Sequence, residues 1–302
     1  MVGEPRALAL PCERAEGISP EYRWFDGELF AGPPSFHSIC QGMLRDCHLI
    51  AAFAAVAHAM PELLPGIMRD EPSKGRVSVH LRDEHGEERI VSISRNLPVR
   101  RGLCSEPDAD EQLAGAASTR LTRAGTPERW VSFLEKAFAL EAGGYEALDR
   151  GGDPGEVMAA LIGRAAQKGR ATEWDVLREA ARPGRAAVAS SIAPGISLLG
   201  QSPFRLLLKD LGVLPLHAYT VIGVREDERG RSVTLRNPVP LRLELGADPR
   251  IRERLSLDPD YAYAYRQMDL LEITHADVKW GTFDISYRDF ARVFEHVQWV
   301  GG

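Results

Sequence analysis

A cysteine, Cys47, opens a run of helix-forming apolar residues from His48 to Met60, and Pro61 ends that pattern. A thiol at a helix N-terminus meets unpaired backbone N–H groups and the positive end of the helix dipole. Both favour the thiolate, the nucleophilic form of cysteine. A glutamine, Gln41, stands six residues upstream and offers a side-chain amide to a developing oxyanion. A cysteine heading an apolar helix is, taken alone, more often a small buried hydrophobe than a nucleophile. What decides between the two is whether the chain also supplies a base.

It supplies one in a hairpin. His217 heads the alternating, β-branched run Ala218–Val224; a polar stretch, Arg225–Arg231, follows with Gly230 near its end. Ser232–Arg236 is a second strand-like run, and Asn237-Pro238 stops it. His217 and Asn237 are 20 residues apart with their midpoint, Asp227, in the turn, so folding the hairpin brings both side chains to its open end. An amide accepting the imidazole Nδ1–H would fix the tautomer and leave Nε2 to face a thiol.

The rest of the chain reads as helices first and strands later. Residues 1 to about 35 are rich in proline and glycine and read as an irregular lead-in. Val77–Leu81 and Arg89–Ile93 flank a turn and form a small hairpin. Thr126-Pro127-Glu128 signals a helix start, with the helix running to Ala142 and closed by Gly143. Asp153-Pro154-Gly155-Glu156 starts another helix, ending near Gly163, and Thr172 with Asp175 starts a third. Pro183-Gly184 marks a subdomain boundary, followed by a strand at Ala186–Ser190. Thr282–Ile285 is a strand, and Ser286 with Asp289 caps a last helix whose Phe290, Val293, Phe294 and Val297 form one apolar stripe.

A chain of 302 residues is long enough for two subdomains, and a net charge of −6 without a basic block argues against nucleic-acid binding. Four cysteines, at 12, 40, 47 and 104, suit free thiols in a reducing compartment better than a disulfide scaffold. His58, His80, His85 and His275 have no metal-ligand spacing with another histidine or a cysteine. No signal-peptide core and no membrane-spanning apolar run is present. The expectation is a cytoplasmic protein, with export by a signal-less route left open.

Five blocks, taken in order, resemble the calpain-like cysteine peptidases over residues 23–300. They are Cys40-Gln41-Gly42-x-x-x-Asp46-Cys47 with Leu49 and Ala51-Ala52; Trp130–Phe138 with Gly143–Leu148; His217-Ala218-Tyr219; Leu235–Pro238; and Gly281–Phe290. The resemblance implies an α+β, papain-like protease core. A helical subdomain (1–184) would carry Cys47, and a β-rich subdomain (185–302) would carry His217 and Asn237, with the active site in the cleft between them. By position, Cys47 would be the nucleophile, His217 the base and Asn237 its orienter. The Gln41 side chain and the Cys47 N–H would form the oxyanion hole, and Gly143 would lie beside the bound peptide. The implied activity is hydrolysis of peptide bonds, with no cofactor required.

The chain departs from the family pattern at several places. Arg45 stands where glycine is usual, His48 where tryptophan is usual, and Val239 where a tryptophan usually shields the His–Asn pair. Leu216 replaces a glycine of animal calpains and would narrow the substrate groove, so Arg45, His48 and Leu216 join Gly143 as candidate substrate contacts. Ser38 replaces a calcium-ligating aspartate; a hard cation wants carboxylate oxygens, so a calcium switch is expected to be lost there. These departures leave three alternatives: a weak or inactive binding module, an acyltransferase or deamidase on the same core, and an enzyme gated by an activating partner or neighbouring domain.

Overall fold

The apolar run after Cys47 forms helix α1 (Cys47–Ala59), in which every side chain from His48 to Ala57 is buried. A helix apolar on all sides needs a neighbour on all sides. Here the neighbours are the sheet strands β10 (Arg185–Ser191) and β11 (Ala218–Asp227), the helix α5 (Pro154–Ile162) and the short helix α2 (Leu63–Ile67). The computed structural model describes residues 21–42, 44–83, 86–100, 112–113, 116–118, 122–123, 128–192, 213–238 and 281–301. Cys12, Cys104, His85, His275, Thr126-Pro127, Val239 and the segment 241–279 lie outside the described residues.

The main sheet is antiparallel throughout, in the order β13-β12-β11-β10-β14-β9. Its remaining strands are β9 (Gln167–Arg170), β12 (Gly230–Arg236), β13 (Thr282–Ser286) and β14 (Phe294–Gly301). Along β10 the side chains alternate between faces. Ala186 and Val188 pack toward α1 and helix α3 (Trp130–Ala142). Ala187 and Ala189 pack toward a second core with α6 (Trp174–Ala180) and α7 (Tyr287–Val293). The chain is thus a mixed helix-and-strand protein of the α+β class, with one sheet between two cores.

Smaller sheets surround α1 and α3. β3 (Met68–Glu71), β4 (Arg76–Arg82) and β5 (Glu88–Ser94) form one; β4 and β5 are the small hairpin expected from the sequence. β1 (Glu21–Trp24) pairs with β6 (Asn96–Arg100), which pairs with β7 (Gln112–Leu113), so part of the expected irregular lead-in is a strand. β2 (Ile39–Cys40) pairs with β8 (Ala117–Ser118), and Tyr145–Leu148 is a short helix, α4.

Three boundaries differ from the sequence reading. α3 begins at Trp130, and the Glu128 carboxylate bonds inward to Ala31, Ser38 and Trp130 instead of joining a first helical turn. α6 takes Glu173 as its N-cap, without a side-chain bond, while the Thr172 carbonyl accepts from the Tyr287 hydroxyl. The last helix does start under the Ser286 cap, whose hydroxyl accepts from the Asp289 N–H at 3.1 Å. It stops at Val293, however, and Phe294 and Val297 belong to β14. All four residues of the expected stripe are buried, but the β-branched and aromatic run after Val293 completes a ladder with β10. The second core also draws Ala171 and α6 from residues before 185.

Candidate active site

The β11–β12 hairpin turns between Asp227 and Gly230 and leaves His217 and Asn237 at its open end, as the spacing predicts. His217 Nε2 lies 2.8 Å from Asn237 Oδ1. A carbonyl oxygen only accepts, so Nε2 carries the hydrogen and donates it. The sequence reading put Nδ1 on the asparagine; the pair uses the other nitrogen, and Nδ1 is the one left for a thiol. The His217 ring packs edge-on against Tyr219, 5.0 Å between centroids. Burial pushes the imidazole down to about 4, opposed in part by the bond to Asn237.

Sequence reasoning missed the groups that hold His217 in place. Ser191, at the end of β10, accepts from the His217 N–H at 2.9 Å and donates to the Leu214 carbonyl at 2.6 Å. The Tyr219 hydroxyl accepts from the Leu214 N–H at 2.8 Å. The only sequence signal is a serine closing a strand.

Cys47 is the first residue of α1, and α1 packs on the sheet so that the Thr220 hydroxyl donates to the Ala51 carbonyl at 2.8 Å. Burial pushes the Cys47 thiol up to about 11, and a negative charge on the neighbouring Asp46 would add to this. The backbone N–H groups of Ala218, His48 and Cys47 pull the other way. The thiol therefore lies beside the residue that follows His217. The helix N-terminus does favour the thiolate, as its position predicts, but desolvation opposes it and favours the uncharged forms of both the thiol and the imidazole.

Gln41 is tied to the same region, its N–H donating to the Pro238 carbonyl at 3.0 Å. Its side-chain Nε2 donates to Leu44 O at 2.6 Å, so one of the two amide hydrogens is held within its own loop. Cys47, His217, Asn237 and Gln41 are thus brought to one neighbourhood, where α1 meets the open end of the hairpin.

The candidate substrate contacts divide. Gly143 ends α3 in the left-handed region (φ 90°), and a Cβ there would meet nothing within 4 Å, so its backbone faces open space. Arg45 binds Asp149 with both backbone N–H (2.9 Å) and guanidinium (3.0 Å), and its side chain is 64% exposed. Leu216 is 70% exposed and has φ 51°, a left-handed conformation that costs a branched side chain about 1–2 kcal/mol. His48 differs from its expected place on a groove wall. It is buried against Gly152, where a Cβ would come within 2.6 Å of its Nε2.

Around Ser38 the chemistry is that of a hydrogen-bond network. The Glu128 carboxylate, fully buried, accepts from the Ala31 N–H (2.8 Å), the Trp130 indole (3.1 Å) and the Ser38 hydroxyl (3.3 Å). Among the described residues no group of three His, Cys, Asp or Glu side chains is placed to hold a metal.

The structure thus brings a thiol at a helix N-terminus near a histidine–asparagine pair on an antiparallel sheet. Comparison with known families adds the family. The model of the calpain family cysteine proteases matches residues 13–300, and the chain belongs to that family. Calpain-9 of Rattus norvegicus is 30% identical over 224 residues, covering 70% of this chain and 29% of the relative. The calpain-1 catalytic subunit of Homo sapiens is 29% identical over 274 residues, 86% of this chain and 34% of the relative. The calpain-type cysteine protease DEK1 of Arabidopsis thaliana is 29% identical over 218 residues, 70% of this chain and 9% of the relative. The chain spans about a third or less of the length of these relatives. No helix among the described residues is long and apolar enough to cross a membrane.

Proposed function

We propose that this chain is a cysteine endopeptidase whose catalytic groups are Cys47, His217, Asn237 and Gln41, set between a helical half and a β-rich half as in papain-type cores. The observation that carries this reading is the 2.8 Å bond from His217 Nε2–H to Asn237 Oδ1, which leaves Nδ1 as the nitrogen able to take a proton. In the reaction, the Cys47 thiol passes its proton to His217 Nδ1 as sulfur attacks the peptide carbonyl carbon. The oxyanion is held by the Cys47 N–H and a Gln41 amide hydrogen. Collapse breaks the C–N bond, and His217 returns the proton to the departing amine. Water, deprotonated by His217, then hydrolyses the thioester and restores the thiol. Asn237 keeps the imidazole in one tautomer throughout. Substrates are proteins or peptides, and calcium is not required at Ser38, because the neighbouring Glu128 carboxylate is already used by three donors.

Incubation with an unfolded protein, read by product mass, tests this. Cleavage at peptide bonds that survives EGTA and is lost in Cys47→Ala and His217→Ala is the expected result. Conversion of side-chain amides, or acyl transfer to an added amine, would make it a deamidase or acyltransferase instead.

A second reading has its own support. The Gln41 amide is bonded to Leu44 O, and both the thiol and the imidazole are neutral at rest. An enzyme that a partner or neighbouring domain must switch on would rest in such a state. Activation by lysate of an otherwise silent protein distinguishes it.

A further inference from the structure

Next to Cys47 stands a buried acid, Asp46, with a second, Glu135, coupled to it, and the mechanism above uses neither. Asp46 occupies the N-cap of α1, the usual place for a capping carboxylate, yet its side chain makes no capping bond. It is fully buried, and among the described residues neither carboxyl oxygen has an N–H or O–H donor. The group that bears most on its charge is Glu135, on α3, which is 1% exposed and accepts from the Ala116 N–H at 2.9 Å through Oε1. Asp149 adds a further negative charge from beyond α4, itself paired with Arg45. Tyr145 completes the cluster: its hydroxyl is buried with no hydrogen-bond partner among the described residues and feels both carboxyls.

Two adjacent carboxylates do not both ionise readily in a desolvated site, and among the described residues no cation acts on this pair. A single hydrogen between them removes the repulsion and supplies the donor that Asp46 lacks. We propose that Asp46 and Glu135 keep at least one proton between them throughout the working pH range, and so act as positioning residues for the first turn of α1 and set the charge beside Cys47. The bond within the pair runs from the Asp46 hydroxyl to the Glu135 carboxylate, whose other hydrogen bond is to Ala116. Burial raises both groups, Glu135 to about 7 and Asp46 in the same direction. When Glu135 ionises, a negative charge enters the pair beside Cys47 and opposes thiolate formation.

The inference rests on Cys47 being the reacting thiol, but its test reads thiol chemistry without peptide turnover. The rate of Cys47 alkylation by iodoacetamide is measured against pH in wild type, Glu135→Gln and Asp46→Asn, each checked for folding by circular dichroism. Glu135→Gln removes the charge and keeps an acceptor for Ala116, so alkylation at mildly alkaline pH accelerates roughly three- to tenfold. Asp46→Asn replaces one uncharged donor to Glu135 with another and leaves the charge of the pair as it was, so alkylation follows the wild-type pH profile. Acceleration in Glu135→Gln alone is the signature of charge on Glu135 with the proton on Asp46; acceleration in both variants, or in neither, overturns the proposal. If either variant fails to fold, the infrared spectrum of the wild type decides. A protonated-carboxyl band persisting at pH 8 supports the shared proton, and its absence there overturns it. A wild-type protein that alkylates as predicted yet cleaves nothing would refute the peptidase reading alone.

Discussion

His217 is positioned less by its own strand than by a serine across the ladder. The Ser191 hydroxyl accepts from the His217 N–H and donates to Leu214 O, fixing both ends of the turn that carries Leu216. Ser191→Ala leaves two polar backbone groups without that partner and is expected to cost about 1–3 kcal/mol. Denaturant unfolding reads that cost, and kcat falls further than KM changes because the imidazole is misaimed. Leu216 invites the opposite experiment. Its φ of 51° strains a branched residue, and at 70% exposure it contributes little burial. Leu216→Gly relieves the strain but frees the unfolded chain, so stability shifts by no more than about 1 kcal/mol. If the side chain narrows the groove, KM for peptide substrates falls; an unchanged KM removes Leu216 from the substrate contacts.

At the scale of elements, α5 is joined to the sheet through one carboxylate. Asp153 Oδ1 caps the helix by accepting from Gly155 N–H (2.7 Å), and it also accepts from Gln298 Nε2 of β14 (2.6 Å). Asp153→Ala loses a cap and an inter-element bond together, an expected cost of about 2–3 kcal/mol by urea denaturation. Such local signals were legible in the sequence. Asp153-Pro154 gave the start of α5, Gly143 and Gly163 gave two helix ends, and the 20-residue spacing of His217 and Asn237 gave the hairpin's open end. What the sequence hid depends on partners far along the chain. β9 is a polar four-residue strand that exists because β14 lies beside it. Phe294 and Val297 continue a helical period, yet β10 claims them for a strand. The choice of His217 nitrogen, and the meeting of Asp46 with Glu135, are set by tertiary packing and leave no local mark.

The whole molecule carries buried titratable groups that oppose one another with pH. His217 and His48 are both pushed by burial from an ordinary 6.5 down to about 4. A depressed base contributes stability above its unfolded value, and that stability is lost as pH falls from 6.5 toward 4. Glu135 is raised from 4.5 to about 7, so its contribution is present in acid and lost as pH rises through about 7. The melting temperature is therefore expected to peak between these limbs, near pH 6, and calorimetry across pH 4–9 checks it. Glu135→Gln weakens the alkaline limb, leaving the share that the raised Asp46 carboxyl contributes, and keeps the acid one.

Every step proposed for catalysis passes through one sulfur. Intact mass after exposure to a peptidyl epoxide, with Cys47→Ala beside the wild type, tests that most directly. A single stoichiometric adduct mapping to Cys47 and absent from the variant is the predicted result. Labelling spread over the four cysteines at 12, 40, 47 and 104, or none at Cys47 with or without calcium and lysate, would contradict an assembled Cys47–His217–Asn237 site.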